Sequence, residues 1–374
     1  MGGGCRLFPN PCSPPPSSLV VLSFLSFSLS LSLPPSLLSR LLPSLLHFVA
    51  SCSYRDGILV PIPQYPLYSA SIALLGGELI PYELDEEDDW GLNLESIRKA
   101  VDGARRDNIC PRGLVFINPG NPTGQQLTEE QLLGMLQVCH KEELTLLADE
   151  VYQDNVYGSA RPFISARSVL AKEAPSSALR NEVQLLTFHT VSKGALGECG
   201  LRGGMVEIMN VPADVIAEMY KLASINLSPN VPGQVAMGIM CKPPVRGEPS
   251  YEQFYSERQA VLDSLARRAK AITDALNVLP GISCVEAGSL YAFPSIALPD
   301  GAIQAAAIKG MAPDVFYCIE MLNATGIATT PGSGFGQKDG SFHFRTTILP
   351  PEDKLAYFSD AIKNFHLAFM AKYS

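Results

Sequence analysis

Short apolar runs that each end on a polar, chemistry-bearing residue constrain this chain more than its composition does. Gly113 to Ile117 leads into Asn118, Leu144 to Ala148 into Asp149, and Val183 to Phe188 through His189 and Thr190 into Ser192-Lys193. Gly57 to Ile62 likewise leads into Pro63-Gln64-Tyr65. Apolar runs of this length predict buried strands. Between them lie stretches of helical spacing: Tyr68 to Leu75, closed by Gly76-Gly77, and Leu94 to Arg106. Thr128 with Gln131 three residues on is a capping box that starts a further helix, running to about Glu142. Leu79 to Leu84 and Gly203 to Ile208 add two more strands. Strand and helix in alternation, with polar residues at strand ends, predict an α/β fold whose sheet is open and mostly parallel. Its site should lie beyond the strand ends.

After Asn226-Leu227-Ser228-Pro229 the pattern changes. Tyr251 to Leu279 reads as one long helix with Arg258, Arg267, Arg268 and Lys270 on its polar positions. Strands are expected at Ile282 to Glu286, Leu290 to Ala292, Gly326 to Thr330 and Ser341 to Ile348. Helices are expected at Val315 to Thr325 and Glu352 to Ala371. This predicts a large domain over residues 55–250 and a smaller C-terminal α+β domain over 251–374. Residues 1–54 form a Ser/Leu/Pro-rich leader with no amphipathic period, read as unstructured or as a stretch foreign to the rest. A signal peptide and a transit peptide are the other readings of that leader. Its apolar segment is short and serine-laden, so no stable membrane insertion is expected.

The formal net charge is -9, and basic residues are scattered and outnumbered, which excludes a nucleic-acid footprint. The acidic run Glu83 to Asp89 reads as a solvated loop and lacks calcium-loop spacing. Nine cysteines without a CxxC pair suggest reduced, mostly buried thiols rather than a disulfide framework or zinc knot. Five histidines without HExxH give no metal site.

The candidate site gathers at the strand ends. Asn118 to Gly124 holds two prolines and two glycines in seven residues, a rigid turn suited to aiming the Asn121 amide, or a plain tight loop. Asp149 closes a buried strand, where an unpaired carboxylate is costly. It therefore calls for a cationic partner such as a protonated pyridine nitrogen, or for a helix end to cap. Tyr152 has a hydroxyl to donate to a bound oxygen, or serves as core. Lys193 suits a Schiff-base amine that also moves protons. Thr190, Ser192 and Arg202 have the hydroxyls and guanidinium to hold a phosphate. Arg345, between apolar neighbours, should meet an anion: a substrate carboxylate or a buried acidic side chain. Tyr65 has the flat face to stack on a heteroaromatic ring.

Together these segments resemble the alanine aminotransferase family, with its relative glutamate:glyoxylate aminotransferase, among fold type I pyridoxal phosphate (PLP)-dependent transferases. The resemblance runs from about Arg55 to the end. It is carried by Pro63 to Tyr68, Asn118 to Gln125, Ala148 to Gln153, Phe188 to Gly194, Gly197 to Gly204 and Pro331 to Arg345. It implies pyridoxal 5'-phosphate as cofactor, small amino acids and 2-oxo acids as partners, a homodimer, and transamination between L-alanine and 2-oxoglutarate. The Schiff-base lysine corresponds to Lys193 and the aspartate at the pyridine nitrogen to Asp149. Asn121 and Tyr152 match the residues at the cofactor's phenolic oxygen, and Tyr65 the stacking aromatic. Thr190, Ser192 and Arg202 match phosphate ligands, and Arg345, with Asn121, the binder of the substrate carboxylate.

The family's earlier segment, with its Gly/Ala/Ser phosphate loop, is not recognisable in residues 1–50, which implies weak activity or none for this polypeptide alone. Ala195 and Met205 stand where the family usually has aromatic residues. The glutamate:glyoxylate exchange is the alternative. The ending Phe369 to Ser374 resembles alanine aminotransferases and has no peroxisomal tripeptide. A cytoplasmic, mitochondrial or plastid location remains open.

Overall fold

The computed structural model describes residues 55–157, 162–224 and 230–374; the leader 1–54 and the Asn226 to Pro229 segment lie outside them. Seven strands form the main sheet: β1 (Asp56–Ile62), β2 (Glu78–Asp85), β3 (Gly91–Leu92), β4 (Cys110–Ile117), β5 (Thr145–Asp149), β6 (Leu185–Thr190) and β7 (Gly204–Met209), in the order β3-β2-β1-β4-β5-β6-β7. The pairs from β2 across to β6 are parallel, while β3 and β7 join the two edges antiparallel. The expected mostly parallel sheet is therefore present, with reversed strands as its borders. The central strands are buried along nearly their whole length, which accounts for their continuous apolar runs.

The register lines up the strand ends. Ile117 pairs with Asp149 and Asp149 with Phe188, so Asn118, Asp149 and His189-Thr190 emerge on one edge of the sheet. At the opposite edge, Arg112 Nε bonds Asp56 Oδ1 at 2.9 Å across β4 and β1, a buried ion pair that fixes the start of both strands. The helix Glu129–Glu142, capped by Thr128 in the expected box with Gln131, packs across β4 and β5 with Leu132, Met135 and Leu136 buried.

The C-terminal part is built on the helix Tyr251–Asn277, of which only the second half (Leu265, Ala269, Ile272, Thr273 and Leu276) is buried. The helices Pro313–Thr325 and Leu355–Tyr373 close over it through Phe316, Tyr317, Phe365 and Phe369. One apolar core runs from Ile58 and Phe188 in the sheet to Phe344 and Phe369 here, so the two parts are welded rather than tethered.

Several expectations need correction. The strand expected at Ile282 to Glu286 is only Ile282–Ser283, and that at Gly326 to Thr330 only Thr330–Pro331. The Ser341 to Ile348 strand is confined to Phe344–Thr347, and the long helix stops at Asn277. Each small-domain ladder here is only two residue pairs long, so apolar spacing outruns the actual ladders. The acidic run is not all loop: Glu83 to Asp85 ends β2, and Glu86–Asp88 form a short 3-10 turn. Cys199 and Cys241 are exposed, against the expectation of mostly buried thiols. The helices Ala166–Lys172, Ala178–Glu182, Ala213–Ser224, Val231–Cys241 and Asp300–Ile308 lie outside the segments of helical spacing named above.

The two parts meet most closely at a pair of glycines. A Cβ on Gly124 would lie 2.6 Å from Gly288 N, and one on Gly288 would strike the Gly124 carbonyl. Gly124 also has φ +78, a conformation glycine adopts without strain. Gly288→Ala is expected to destabilise the fold by about 1–3 kcal/mol through overpacking. Thermal unfolding should show a midpoint several degrees lower than for a control such as Gly334→Ala, where a Cβ meets open space.

Candidate active site

A cleft lies beyond the ends of β1, β4, β5 and β6, lined by Tyr65, Ile117, Asn121, Asp149, Val151, Tyr152, Thr190, Ser192, Lys193 and Tyr291. Seven of the eight residues expected to touch a cofactor therefore face one space, each delivered by the turn after a parallel strand. The eighth, Arg202, is placed elsewhere: its Nη1 donates to the Cys199 carbonyl at 2.8 Å and lies 3.4 Å from Cys199 Sγ. A second, mainly apolar cavity lies behind the Asn121 loop, between Pro61, Tyr82, Phe116 and Leu127, and holds no nucleophile.

Asp149 is the electrostatic centre of the cleft. Its Oδ2 accepts the Tyr68 hydroxyl at 2.8 Å, and its Oδ1 is buried without a partner. Burial raises the carboxyl to about 6, although the Tyr68 bond, the Val151 N–H and the Lys193 charge all pull it down. Burial and the neighbouring Asp149 together push the Tyr68 phenol well up, so Tyr68 is a committed donor. Glu150, next in sequence, points away from the cleft and accepts the Ala166 N–H at 2.8 Å, at the start of the helix Ala166–Lys172.

Lys193 is half-buried, its Nζ 5.3 Å from the centre of the Tyr152 ring. The loop that carries it is held from outside. Gly194 N donates to Asn155 Oδ1 at 2.9 Å, and the fully buried Asn155 amide points back toward the Gly194 carbonyl. On the other side, the Thr190 hydroxyl donates to Gly203 O at 2.7 Å and accepts the Ser192 N–H at 3.2 Å. Ser192 Oγ lies 3.1 Å from it.

Arg345, on β12 (Phe344–Thr347), donates from Nη1 to Asn121 Oδ1 at 3.0 Å. Its guanidinium lies 4.1 Å from the Tyr291 ring centre and 4.8 Å from that of Phe335. Among the described residues no carboxylate forms an ion pair with it, so the reading as a buried salt bridge is set aside. The bond to Arg345 also fixes the Asn121 amide: its oxygen is engaged, which turns its N–H groups to other acceptors.

Three residues of this arrangement escaped the sequence reading as site residues. Tyr68 lies three positions after Tyr65, one helical turn along, and this spacing was a usable signal. Asn155 and Tyr291 had none, because each acts through loops brought together only by the fold.

Residues 41–362 match the family described as aminotransferase class I and II. The chain belongs to that family. Among curated members it is 54% identical over 329 residues to glutamate--glyoxylate aminotransferase 1 of Arabidopsis thaliana, a match covering 87% of this chain and 68% of that protein. It is 48% identical over 322 residues to the mitochondrial alanine aminotransferase 2 of the same plant, covering 86% of this chain and 59% of that one. A solved structure of an alanine aminotransferase from Pyrococcus furiosus superposes with a TM-score of 0.71 at 26% identity, over 90% of this chain and 75% of that one. The fold is thus the fold type I of this aminotransferase family, as the resemblance implied. No helix among the described residues is long and apolar enough to cross a membrane.

The family's cofactor is pyridoxal phosphate, and the cleft can be tested for it on its own chemistry. The bare Oδ1 of Asp149 needs a donor or a cation, as a protonated pyridine nitrogen would provide, and a lysine amine faces the same space. The residues fit the group.

The raised Asp149 carboxyl gives a signed prediction. Its folded value of about 6 exceeds the unfolded 3.8, so for the cofactor-free chain its contribution is fully present below about pH 4 and is lost as pH rises to 6. Asp149→Asn should remove that part of the slope, about 3 kcal/mol across the window, and leave the part from Glu150, which burial raises to about 7. Urea unfolding of both proteins from pH 4 to 7 measures it. An equal slope in both would reject the assignment.

Proposed function

We propose that this chain is a pyridoxal phosphate-dependent aminotransferase acting between L-alanine and 2-oxoglutarate. The observation that carries the reading is the convergence of Lys193 and the half-satisfied Asp149 on one cleft, with Arg345 bonded to Asn121 in its wall. When bound, the cofactor supplies an electron-withdrawing ring that stabilises negative charge at the substrate α-carbon. In this proposal Asp149 would hold the positive charge of the ring nitrogen through Oδ1, while Tyr68 keeps Oδ2 satisfied. Tyr65 would offer its ring as the stacking aromatic. Asn121, its amide turned by Arg345, and Tyr152 would donate to the ring oxygen. Thr190, Ser192 and Arg202 would hold the phosphate, which requires the Arg202 guanidinium to leave Cys199.

Arg345 offers a planar fork of donors to a substrate α-carboxylate, and the Tyr291 and Phe335 rings pack against that fork. Lys193 Nζ, which faces the same space, would take up and return a proton at the substrate α-carbon.

A second reading, glutamate:glyoxylate exchange, is favoured by one observation: identity to glutamate--glyoxylate aminotransferase 1 is 54%, against 48% to the mitochondrial alanine aminotransferase 2. We also propose that residues 55–250 and 251–374 act as cofactor and substrate-binding domains, and that the enzyme is a homodimer. The apolar side chains Val231, Val235 and Ile239, 49–65% exposed and four residues apart on one helix face, are a surface a second copy would cover.

Absorbance of the purified chain with pyridoxal phosphate, before and after L-alanine or L-glutamate, tests the reading. A cofactor band that responds to the amino acid and is missing in Lys193→Ala is expected; a folded chain that binds no cofactor sinks the proposal. The ratio of kcat/KM for pyruvate and for glyoxylate, with L-glutamate as donor, decides between the two exchanges. Arg345→Lys should raise the amino-acid KM about 10- to 100-fold, the cost of losing charged hydrogen bonds of about 1.5–3 kcal/mol. An unchanged KM would remove Arg345 from the substrate site.

A further inference from the structure

Tyr152, Lys193 and Tyr291 reach the cleft on three separate segments: the turn after β5, the loop after β6, and β9 (Tyr291–Ala292). All three segments are bonded to one residue that does not itself line the cleft. Asn155 is fully buried. Its backbone N–H donates to Tyr152 O at 2.7 Å, and its carbonyl accepts the Ser289 N–H, two residues before Tyr291, at 3.0 Å. Its side-chain Oδ1 accepts the Gly194 N–H, next to Lys193, at 2.9 Å. Because that N–H can only donate, the amide oxygen must face it, which leaves Nδ2 for acceptors. Nδ2 donates to the Tyr157 hydroxyl at 3.1 Å and lies 3.5 Å from the Gly194 carbonyl. Every polar atom of Asn155 is therefore engaged.

The residues it holds are ones that no ladder holds. Gly194 and Ser289 both lie in turns, outside any helix or strand. Gly194 has φ +67, and a Cβ there would lie 2.8 Å from Asp154 Oδ2, so the lysine loop rests directly on the residue before Asn155. Asp154 is itself fixed, accepting from Arg258 Nη2 of the long helix at 2.9 Å. Ser289 has φ +53, a conformation that residues other than glycine rarely adopt. An amine that moves protons has to be aimed at its carbon to within fractions of an ångström, and a turn alone does not supply that precision.

We propose that Asn155 is a positioning residue for the reaction. Its side-chain oxygen fixes the loop that aims the Lys193 amine, and its two backbone groups hold the Tyr152 turn and the Tyr291 hairpin in register with that loop. Three cleft side chains thereby share one reference point outside the cleft. The two parts of the role are separable, because a substitution removes the side-chain anchor and leaves the backbone bonds to Tyr152 and Ser289 in place. The inference rests on the reading of Lys193 as the reacting amine, and its first tests need no cofactor.

In the full cofactor-free wild-type chain, the Gly194 amide should exchange its hydrogen at least about tenfold more slowly than that of Gly340, an exposed glycine in another turn. Equal exchange overturns the proposal, whether or not any variant folds. Asn155→Ala should remove most of that protection. The same chains are then treated with acetic anhydride at neutral pH, and acetylation of Lys193 is measured by peptide mass spectrometry against the exposed Lys99. Asn155→Ala frees the loop of a half-buried amine, so its Lys193 should be labelled about threefold faster or more. Asn155→Asp keeps an oxygen for the Gly194 N–H and should stay within about twofold of wild type. No increase in Asn155→Ala, or an equal increase in Asn155→Asp, overturns the proposal. With cofactor, Asn155→Ala should lower kcat about 10- to 100-fold and leave the L-alanine KM within about twofold. That split follows because Arg345 is held by Asn121, Tyr291 and Phe335 rather than by the Asn155 side chain. An unchanged kcat, or a change confined to KM, overturns the positioning role. A chain that shows the exchange and labelling differences but binds no cofactor would sink the aminotransferase reading and leave the Asn155 anchor standing.

Discussion

The fold is organised around a carboxylate that is buried before it is paired. Asp149 sits at the end of a strand flanked by strands on both sides, in a setting that opposes its charge. One oxygen is settled by Tyr68 from the helix after β1, and the other is left bare. A buried half-satisfied anion is costly in isolation and useful when a cation is to be recruited. The sheet supplies the rigidity that keeps Tyr68, Asp149 and Lys193, from three different strand ends, facing one space.

The large-domain half of this arrangement was legible in the sequence because strands buried on both faces leave continuous apolar runs, and a parallel sheet places their ends together. Asn121, Asp149, Thr190, Ser192 and Lys193 could be found that way. Tyr68 was within reach, one turn along from Tyr65. Arg345 was detectable as a charge among apolar neighbours, but its sandwich between Tyr291 and Phe335 was not. That contact depends on a β9–β12 register only two residue pairs long. The small-domain strands were overestimated for the same reason: their side chains are buried by helices rather than by a ladder, so apolar spacing no longer reports strand length.

Arg202 shows a different limit. The residue types around it suit an anion site, yet here its guanidinium satisfies the carbonyl of a neighbour in the tight Gly197 to Leu201 turn. Sequence conveys which donors are available. It does not convey which acceptor holds them when no anion is bound. Asn155 illustrates the converse, since an amide with no charge and no motif locks the loop of the central lysine through two backbone contacts.

The glycine pair between the two parts has a mechanical consequence. Gly124 and Gly288 meet backbone to backbone, with no side chains between them that could slide. With Asn121 and Tyr291 each three residues from that contact, it works as a gauge block: the distance between the loop that aims Asn121 and the strand that carries Tyr291 is set by two backbones, and no side-chain rotamer can change it.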